Sequence, residues 1–132
     1  MKNAVLDSDA VLAFLFKENG HETVLDLLEK AMEADKKLLI ASPNWAEIRY
    51  MVERRAGIAK WAEVRAKLLG LPVDIIDIDQ SLAEAAGALK ASHKMSLADC
   101  FAAALAKQSN ADIYSGDREF KTVESDLKIM WL

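Results

Sequence analysis

Four acidic residues stand where a carboxylate could do chemistry: Asp7, Glu47, Asp99 and Asp117. Carboxylates that are brought close together repel one another and take up protons unless a positive charge lies between them. A divalent cation is the ordinary solution, because Mg²⁺ and Mn²⁺ prefer oxygen ligands and leave positions open for water and phosphate oxygens. Such a site can activate water toward a phosphodiester without a Ser, His or Cys nucleophile. The four acids therefore indicate a metal site if the fold brings them together.

The elements that must position these acids alternate between strands and helices. Short apolar runs predict strands at 4–6, 38–41, 73–76, 111–114 and 128–131. Helical spacing predicts helices from 9 toward 20, over 24–33, 42–57, 59–69, 80–91 and 97–107, and a short one opening at 117. Strands that are separated by helices form a largely parallel sheet covered on both faces. We predict an α/β fold, a doubly wound sheet of four to five strands flanked by helices.

In a fold of this class, ligands bind beyond the carboxyl ends of the strands. Asp7 follows the first predicted strand directly, and Asp117 follows the fourth across a two-residue turn. Glu47 lies about one turn into the helix after the second strand, and Asp99 lies in the first turn of its own helix. All four carboxylates are therefore expected at one end of the sheet.

Each acid also has a purely structural interpretation. Asp99 stands three residues after a serine, in the S-x-x-D spacing of a capping box. Asp9 and Asp117 could be ordinary helix N-caps, and Glu47 could be a surface residue. Asp7 is the hardest to explain in this way, since a carboxylate at the end of a buried strand needs a partner. Taken together and in this order, the acids favour a functional site.

Length and composition limit the class of protein. The 132 residues are expected to form a single domain, 1–132, and 52% of them are hydrophobic, which is enough for a core. We find neither the apolar stretch of a signal peptide nor a run long enough to span a bilayer, so no membrane association is expected. The single Cys100 is interpreted as a core residue, and its lack of a disulfide partner fits a reducing cytoplasm.

The charge balance bears on whether the partner is a nucleic acid. The net charge of −4 argues mildly against one, because proteins that hold phosphates by side chains alone are normally basic. The objection weakens if the excess acids lie at a metal site, because bound divalent ions reverse the sign of the local charge there. The segment from Arg49 to Lys67 is basic, and two interpretations of it stay open: a solvated helical face or a patch that steers phosphates.

The sequence resembles the PIN domain family over essentially its whole length, and most closely the VapC-like toxins of prokaryotic toxin–antitoxin pairs. The resemblance is carried by four segments, of which the last two are the most specific. They are Val5-Leu6-Asp7-Ser8, Pro43-x-x-x-Glu47, Ser96-Leu97-Ala98-Asp99-Cys100-Phe101-Ala102-Ala103-Ala104 and Ser115-Gly116-Asp117-Arg118-Glu119-Phe120. It implies a PIN-like doubly wound fold.

The resemblance also implies an activity. A family member of this kind would be an endoribonuclease with Mg²⁺ or Mn²⁺ held by Asp7, Glu47, Asp99 and Asp117, and Ser115 would support the acidic cluster. Such proteins commonly form homodimers and are silenced by a small VapB-like antitoxin whose tail obstructs the active site. The apolar stretches 11–16 and 45–52 could receive that antitoxin, although core packing is the default interpretation of both.

Three further residues are assigned from their positions. Asp9 stands where many relatives carry Ser or Asn, and we interpret it as a helix cap or an outer partner of the site rather than a primary ligand. Arg49 and Arg118 are candidate contacts to the RNA backbone. Arg118 is also readily explained as a solvated helix residue.

Two other functions remain as alternatives. A haloacid-dehalogenase-like phosphatase would use Asp7 as a nucleophile and Asp9 as an acid, through a covalent aspartyl phosphate. Against it, Ala10-Val11 stands where that group usually has Gly-Thr, and Glu47 and Asp99 would have no role. A catalytically silent PIN-like module that binds RNA or protein is the second alternative, because a fold by itself does not decide chemistry.

Overall fold

The computed structural model describes residues 1–132 and contains a five-stranded sheet surrounded by helices. The strands are β1 (Ala4–Leu6), β2 (Leu38–Ala41), β3 (Val73–Ile76), β4 (Asp112–Ser115) and β5 (Ile129–Trp131). The α-helices are α1 (Ser8–Leu15), α2 (His21–Glu33), α3 (Ser42–Ala56), α4 (Ile58–Leu69), α5 (Gln80–Ser92) and α6 (Leu97–Gln108). A 3₁₀ helix spans Arg118–Val123. The predicted α/β class is confirmed, and most element ends lie within two residues of those predicted. The exceptions are α1, which ends at Leu15 rather than near 20, and the start of α2.

All strand pairs are parallel, in the order β3-β2-β1-β4-β5. Val5 of the central strand pairs with Leu39 of β2 on one side and with Ile113 of β4 on the other. The direction in which strands are added to the sheet reverses at β1. The crevice beyond the carboxyl ends of β1 and β4 is thus the position where doubly wound folds bind ligands.

The strands separate two hydrophobic clusters of 17 buried residues each. Ala4 and Leu6 face the first cluster with α1 to α4, while Val5 faces the second with α5, α6 and the 3₁₀ helix. This alternation is the period of two that a strand covered on both faces requires. Cys100 lies in the second cluster and is fully buried, as predicted. None of the helices combines the length and the apolar character that a membrane crossing requires.

The starts of two helices differ from the prediction. Helix α1 is capped by Asp7, whose side chain accepts the backbone N–H of Ala10, so the interpretation of Asp9 as a cap is wrong. The reason is that β1 passes into α1 without a loop, which makes Asp7 the last extended residue. Helix α2 begins at His21, three residues before its predicted start. Helix α3 begins at Ser42, the first residue of its predicted range, with Ala41 as its N-cap and no side-chain cap bond.

The chain after β5 packs against the turn before α2. Gly20 has a positive φ of 94°, and a Cβ built on it would lie 2.6 Å from the Cβ of Leu132. The backbone N–H of Leu132 in turn donates to the carbonyl of Ser115 at 3.1 Å. Gly20 is therefore required both for its backbone conformation and for the close approach of a segment that borders the end of β4.

Replacing Gly20 by alanine should therefore destabilise the fold for two separable reasons. We expect Gly20→Ala to lower the free energy of unfolding in urea by about 2–4 kcal/mol, from backbone strain and from displacement of Leu132. In a Leu132→Gly background the steric part disappears, so the same substitution should cost less. An equal cost in both backgrounds would contradict the packing of Leu132 on Gly20.

Candidate active site

Asp7 is the buried centre of the site. It ends β1, and only 1% of its surface is exposed. Its Oδ1 accepts the backbone N–H of Ala10 at 2.8 Å, and its Oδ2 accepts the hydroxyl of Ser115 at 2.5 Å. Both oxygens are thereby fixed in place by neighbouring elements, one by the first turn of α1 and one by the end of β4.

Burial changes the acidity of this carboxyl group. Loss of water around the charged form raises the pKa of Asp7 from 3.8 to about 7, although the bonds from Ser115 and Ala10 act in the opposite direction. The nearby charges of Asp9 and Asp117 raise the pKa further. Without a compensating cation, Asp7 therefore holds a proton over much of the acidic range.

Ser115 connects Asp7 to Asp117. Its hydroxyl donates to Asp7 and accepts the backbone N–H of Asp117 at 2.9 Å. A hydroxyl has one hydrogen to donate, and that hydrogen is directed to Asp7, so its lone pairs remain for Asp117. Ser115 therefore holds the Asp7 carboxylate and the backbone of Asp117 in a fixed relation.

Asp117 and Glu119 bring two further carboxylates to the site. Asp117 caps the 3₁₀ helix by accepting the backbone N–H of Glu119 at 2.9 Å, so its predicted capping role is present. The side chains of Asp117, Glu119 and Asp99 nevertheless place carboxylate oxygens within 4.8 Å of one another. The two interpretations of Asp117 are compatible, because the cap uses only one of its oxygens.

The position of Asp99 decides between a capping box and a site residue. The hydroxyl of Ser96 accepts the backbone N–H of Asp99 at 3.2 Å, which is the first half of a capping box. The second half is made by another residue, since the backbone N–H of Ser96 donates to Oε1 of Glu119 at 3.1 Å. The carboxylate of Asp99 is therefore not used by the cap.

Asp99 is buried, and its Oδ2 has no hydrogen-bond partner. Burial raises its pKa well above the usual range, and hydrogen bonding with Asp117 and Glu119 raises it further. A buried carboxylate oxygen without a partner costs free energy, and proteins rarely retain one unless a proton or a cation satisfies it. This oxygen is the most direct sign in the structure that the cluster binds a positive ligand.

Glu47 joins the site through two residues that the sequence did not single out as site residues. Its Oε1 accepts the hydroxyl of Ser8 at 2.8 Å and the amide of Asn44 at 3.4 Å. Asn44 is fully buried, donates to the carbonyl of Ala98 at 3.2 Å, and has an Oδ1 without a partner. Glu47 is thus linked to the neighbours of Asp7 and Asp99.

Glu119 and Asn44 are the main residues that sequence analysis missed. Glu119 stands two residues after Asp117 in the same short segment, so an acid on that 3₁₀ turn was an available signal. Asn44 lies three residues before Glu47, which places both on one face of α3. No sequence pattern indicated that Asn44 would contact α6.

Asp9 connects α1 to the turn that precedes Asp117. Its Oδ2 accepts the backbone N–H of Gly116 at 2.9 Å. A Cβ at position 116 would approach this oxygen to 2.8 Å, so the turn passes too close for a larger residue without movement of Asp9. Asp9 therefore has the contacts of an outer partner that positions the Ser115–Asp117 segment.

The two candidate arginines lie in different surroundings. Arg49 is exposed on α3, where its Nε donates to Glu53 at 2.6 Å and its guanidinium lies 5.9 Å from the ring centroid of Trp61. Arg118 is exposed and follows Asp117 directly. Much of the basic segment is engaged in similar local contacts, involving Arg54, Arg55, Lys60 and Lys67. Within 11–16 and 45–52 the core interpretation holds for Val11, Leu12, Ile48 and Val52, which are buried.

The donor set suits a hard divalent cation. The closest group consists of carboxylate oxygens from Asp99, Asp117 and Glu119. The charge of Asp7 acts on Asp99, whereas Glu47 is connected only through Ser8 and Asn44. Oxygen ligands are those that Mg²⁺ and Mn²⁺ prefer. The unpartnered Oδ2 of Asp99 and the raised pKa values of Asp7 and Asp99 are the features that a cation would relieve. The residues present therefore fit such an ion.

The raised pKa values predict how stability depends on pH in EDTA. Between about pH 4 and pH 7 the unfolded chain has released the proton of Asp7, whereas the folded chain still holds it. The free energy of unfolding should therefore fall with rising pH, by up to about 1.4 kcal/mol per pH unit for each such group. Asp7→Asn and Asp99→Asn should flatten this profile in urea titrations.

Glu84→Gln is the matched control, because Glu84 is exposed on α5. It should leave the profile unchanged. A wild-type stability that increases over this range would contradict the burial of a carboxyl with a raised pKa.

Comparison with solved structures shows the same fold over nearly the whole chain. A DNA-bound VapBC from Salmonella typhimurium superposes with a TM-score of 0.74 at 17% identity, covering 98% of each chain. A toxin–antitoxin complex from Klebsiella pneumoniae gives 0.70 at 20% identity, covering 97% of this chain and 96% of the other. VapC20 of Mycobacterium tuberculosis, a sarcin–ricin loop cleaving toxin, gives 0.69 at 18%, covering 92% and 95%.

Identities at this level show a shared fold. No curated protein matches the sequence. The PIN domain family model, by contrast, matches residues 4–125, a range that includes all five acids of the site. This protein therefore belongs to the PIN domain family.

Proposed function

We propose that this protein is an endoribonuclease that depends on Mg²⁺ or Mn²⁺ and acts as the VapC-type toxin of a toxin–antitoxin pair. The observation that carries the proposal is the buried Oδ2 of Asp99, which has no partner and lies among the carboxylates of Asp117 and Glu119. A buried carboxylate with a purely structural role would find hydrogen-bond donors for its oxygens within the fold. In its ionised form this one has no donor in the fold, so it needs either a proton shared with Asp117 and Glu119 or a cation.

The proposed metal ligands are Asp7, Glu47, Asp99 and Asp117, to which the geometry adds Glu119. Bound there, the metal would lower the pKa of a water molecule and neutralise charge that develops on the phosphate. The carboxylates of Asp7 and Asp117 each accept backbone or hydroxyl donors from the fold, which leaves lone pairs on both for a cation.

The chain's own residues hold these ligands in position. Ser115 orients Asp7 and the backbone of Asp117 together, and Asp9 fixes the turn between β4 and the 3₁₀ helix. Asn44 holds Glu47 against the start of α6. This arrangement limits the rotation of each carboxylate, so little reorganisation is needed when substrate and metal bind.

The substrate and partners follow from the relatives and remain part of the proposal. The similar structures include VapBC complexes and a toxin that cleaves the sarcin–ricin loop. We infer RNA as the substrate and a small VapB-like antitoxin as the partner that silences it. A homodimer is expected from the family resemblance, and a cytoplasmic location from the single cysteine, which has no disulfide partner.

The phosphatase alternative gains no support from the site. A phosphatase of this type would rely on Asp9 as its acid, whereas here Asp9 holds the turn at Gly116 through its Oδ2. It would also leave the grouping of Asp99 and Glu119 unexplained. The silent-module alternative is separated from the nuclease by the cleavage test that follows.

Cleavage of total cellular RNA by the purified protein tests the nuclease proposal. We expect Mg²⁺- or Mn²⁺-dependent cleavage that EDTA abolishes and that Asp7→Asn, Asp99→Asn and Glu119→Gln each reduce by at least about 100-fold. Glu84→Gln, which changes an exposed acid of α5, should cleave RNA as the wild type does. Folded wild-type protein that leaves RNA intact with either metal would overturn the proposal.

A calorimetric titration with Mn²⁺ separates loss of metal from loss of chemistry. Asp99→Asn and Glu119→Gln should weaken binding by roughly 10- to 100-fold, since each removes a charged ligand. Unaltered Mn²⁺ affinity in both variants would show that neither Asp99 nor Glu119 is a metal ligand.

The toxin role predicts a phenotype that does not depend on identifying the RNA. Induced expression of the wild type in bacteria should arrest growth, whereas Asp7→Asn at equal protein level should not. Normal growth during expression of the wild-type protein would contradict the toxin role. A short upstream reading frame whose product restores growth would identify the antitoxin.

A further inference from the structure

A cavity of about 520 Å³ opens beside the acidic cluster. It is lined by Asn19, Gly116, Arg118, Lys121, Trp131 and Leu132. Gly116 belongs to both places, because it lines the cavity and its N–H is bonded to Asp9 at the border of the acidic site. The cavity and the candidate active site are therefore contiguous.

The 3₁₀ helix presents opposite charges to these two places. Glu119 turns toward the acidic cluster and accepts the backbone N–H of Ser96. Arg118 and Lys121 line the cavity, and neither forms one of the five ion pairs of the chain. Two exposed cations without acidic partners thus stand within a few residues of Asp117.

Trp131 gives the cavity an aromatic wall. It is 37% exposed, and its Nε1 donates to Glu124 at 3.4 Å, which restrains the indole. In the β4–β5 pair it lies directly opposite Ser115, the residue that holds Asp7. The other two tryptophans, Trp45 and Trp61, pack edge to face with their ring centroids 5.2 Å apart. Trp131 is therefore the tryptophan that can offer an open ring face to a ligand.

We propose that this cavity binds one nucleotide of single-stranded RNA next to the phosphate that is cleaved. The base stacks on Trp131, and Arg118 and Lys121 contact the flanking phosphate. An aromatic face combined with unpaired cations matches the two features that every single-stranded nucleic acid offers, a π-face and a negative backbone. An acidic peptide would pair with the two cations but would leave the ring of Trp131 without a stacking partner. The choice of RNA rests on the proposed function.

The inference explains how a chain with a net charge of −4 can hold a polyanion. The acids lie where a metal cation is expected to bind. The unpaired basic groups, Arg118 and Lys121, lie at the border of that site rather than around it. Stacking is tolerant of sequence, so the cavity would contribute affinity and register for any unpaired base, not recognition of one base.

The test is the affinity for a fluorescein-labelled single-stranded RNA of about 12 nucleotides, a length within the range that single-strand binding folds cover. Anisotropy is measured with Mg²⁺ in an Asp7→Asn background, so that the RNA stays intact. We expect Trp131→Ala to weaken binding about 10-fold and Trp131→Phe to retain most of it. Arg118→Ala and Lys121→Ala should each weaken binding and reduce the slope of log affinity against log salt by about one.

Two substitutions outside the cavity serve as controls. Met32→Ala removes an exposed apolar residue of α2, and Lys37→Ala removes an exposed cation that precedes β2. Both should leave RNA affinity unchanged. Lys121 is exposed, so its variant stays informative even if Trp131→Ala perturbs the end of the sheet.

The outcomes separate this inference from the proposed nuclease. If the wild type cleaves RNA but the cavity variants bind it as tightly as their parent, the cavity proposal is wrong and the nuclease stands. If the cavity variants lose only the affinity for a co-purified antitoxin, the cavity belongs to a protein partner and the proposal is likewise overturned. If the intact protein neither binds nor cleaves RNA, both fail.

Discussion

The burial of the Asp7 carboxylate at the end of the central strand is the constraint on which the rest of the site depends. A charge removed from water needs partners, and the fold provides two, from Ser115 and from the backbone of Ala10. These bonds do not fully compensate, because the pKa of Asp7 remains raised to about 7. The site is therefore built with more negative charge than the protein alone stabilises.

The sheet order explains why several acids share this constraint. Strand β1 lies between β2 and β4, so the segments that leave these three strands start at one edge. The first two turns of α3 bring Asn44 and Glu47, and the 3₁₀ helix after β4 brings Glu119 and its N-cap Asp117. Helix α6, packed on the sheet through its buried residues 102–106, four of which are alanine, completes the group with Asp99.

The sequence predicts those parts of the site that local position determines. Asp7 and Asp117 follow strands directly, so the parallel order of the sheet is enough to bring them together. Asp99 could not be assigned from its capping-box spacing, because the residue that completes the cap is Glu119, 23 residues away. Asn44 likewise depends on the packing of α3 against Ala98. Of the two interpretations of Asp9, the helix cap is wrong because Asp7 itself caps α1.

The central claim is that Asp7 and Asp99 hold protons until a divalent cation replaces them. Its most direct test is calorimetric titration with Mg²⁺ near neutral pH in buffers of different ionisation enthalpy, which counts the protons released on binding. The account predicts saturable binding with net proton release that decreases in Asp99→Asn. Binding without proton release, or no binding by the folded wild type, would contradict it.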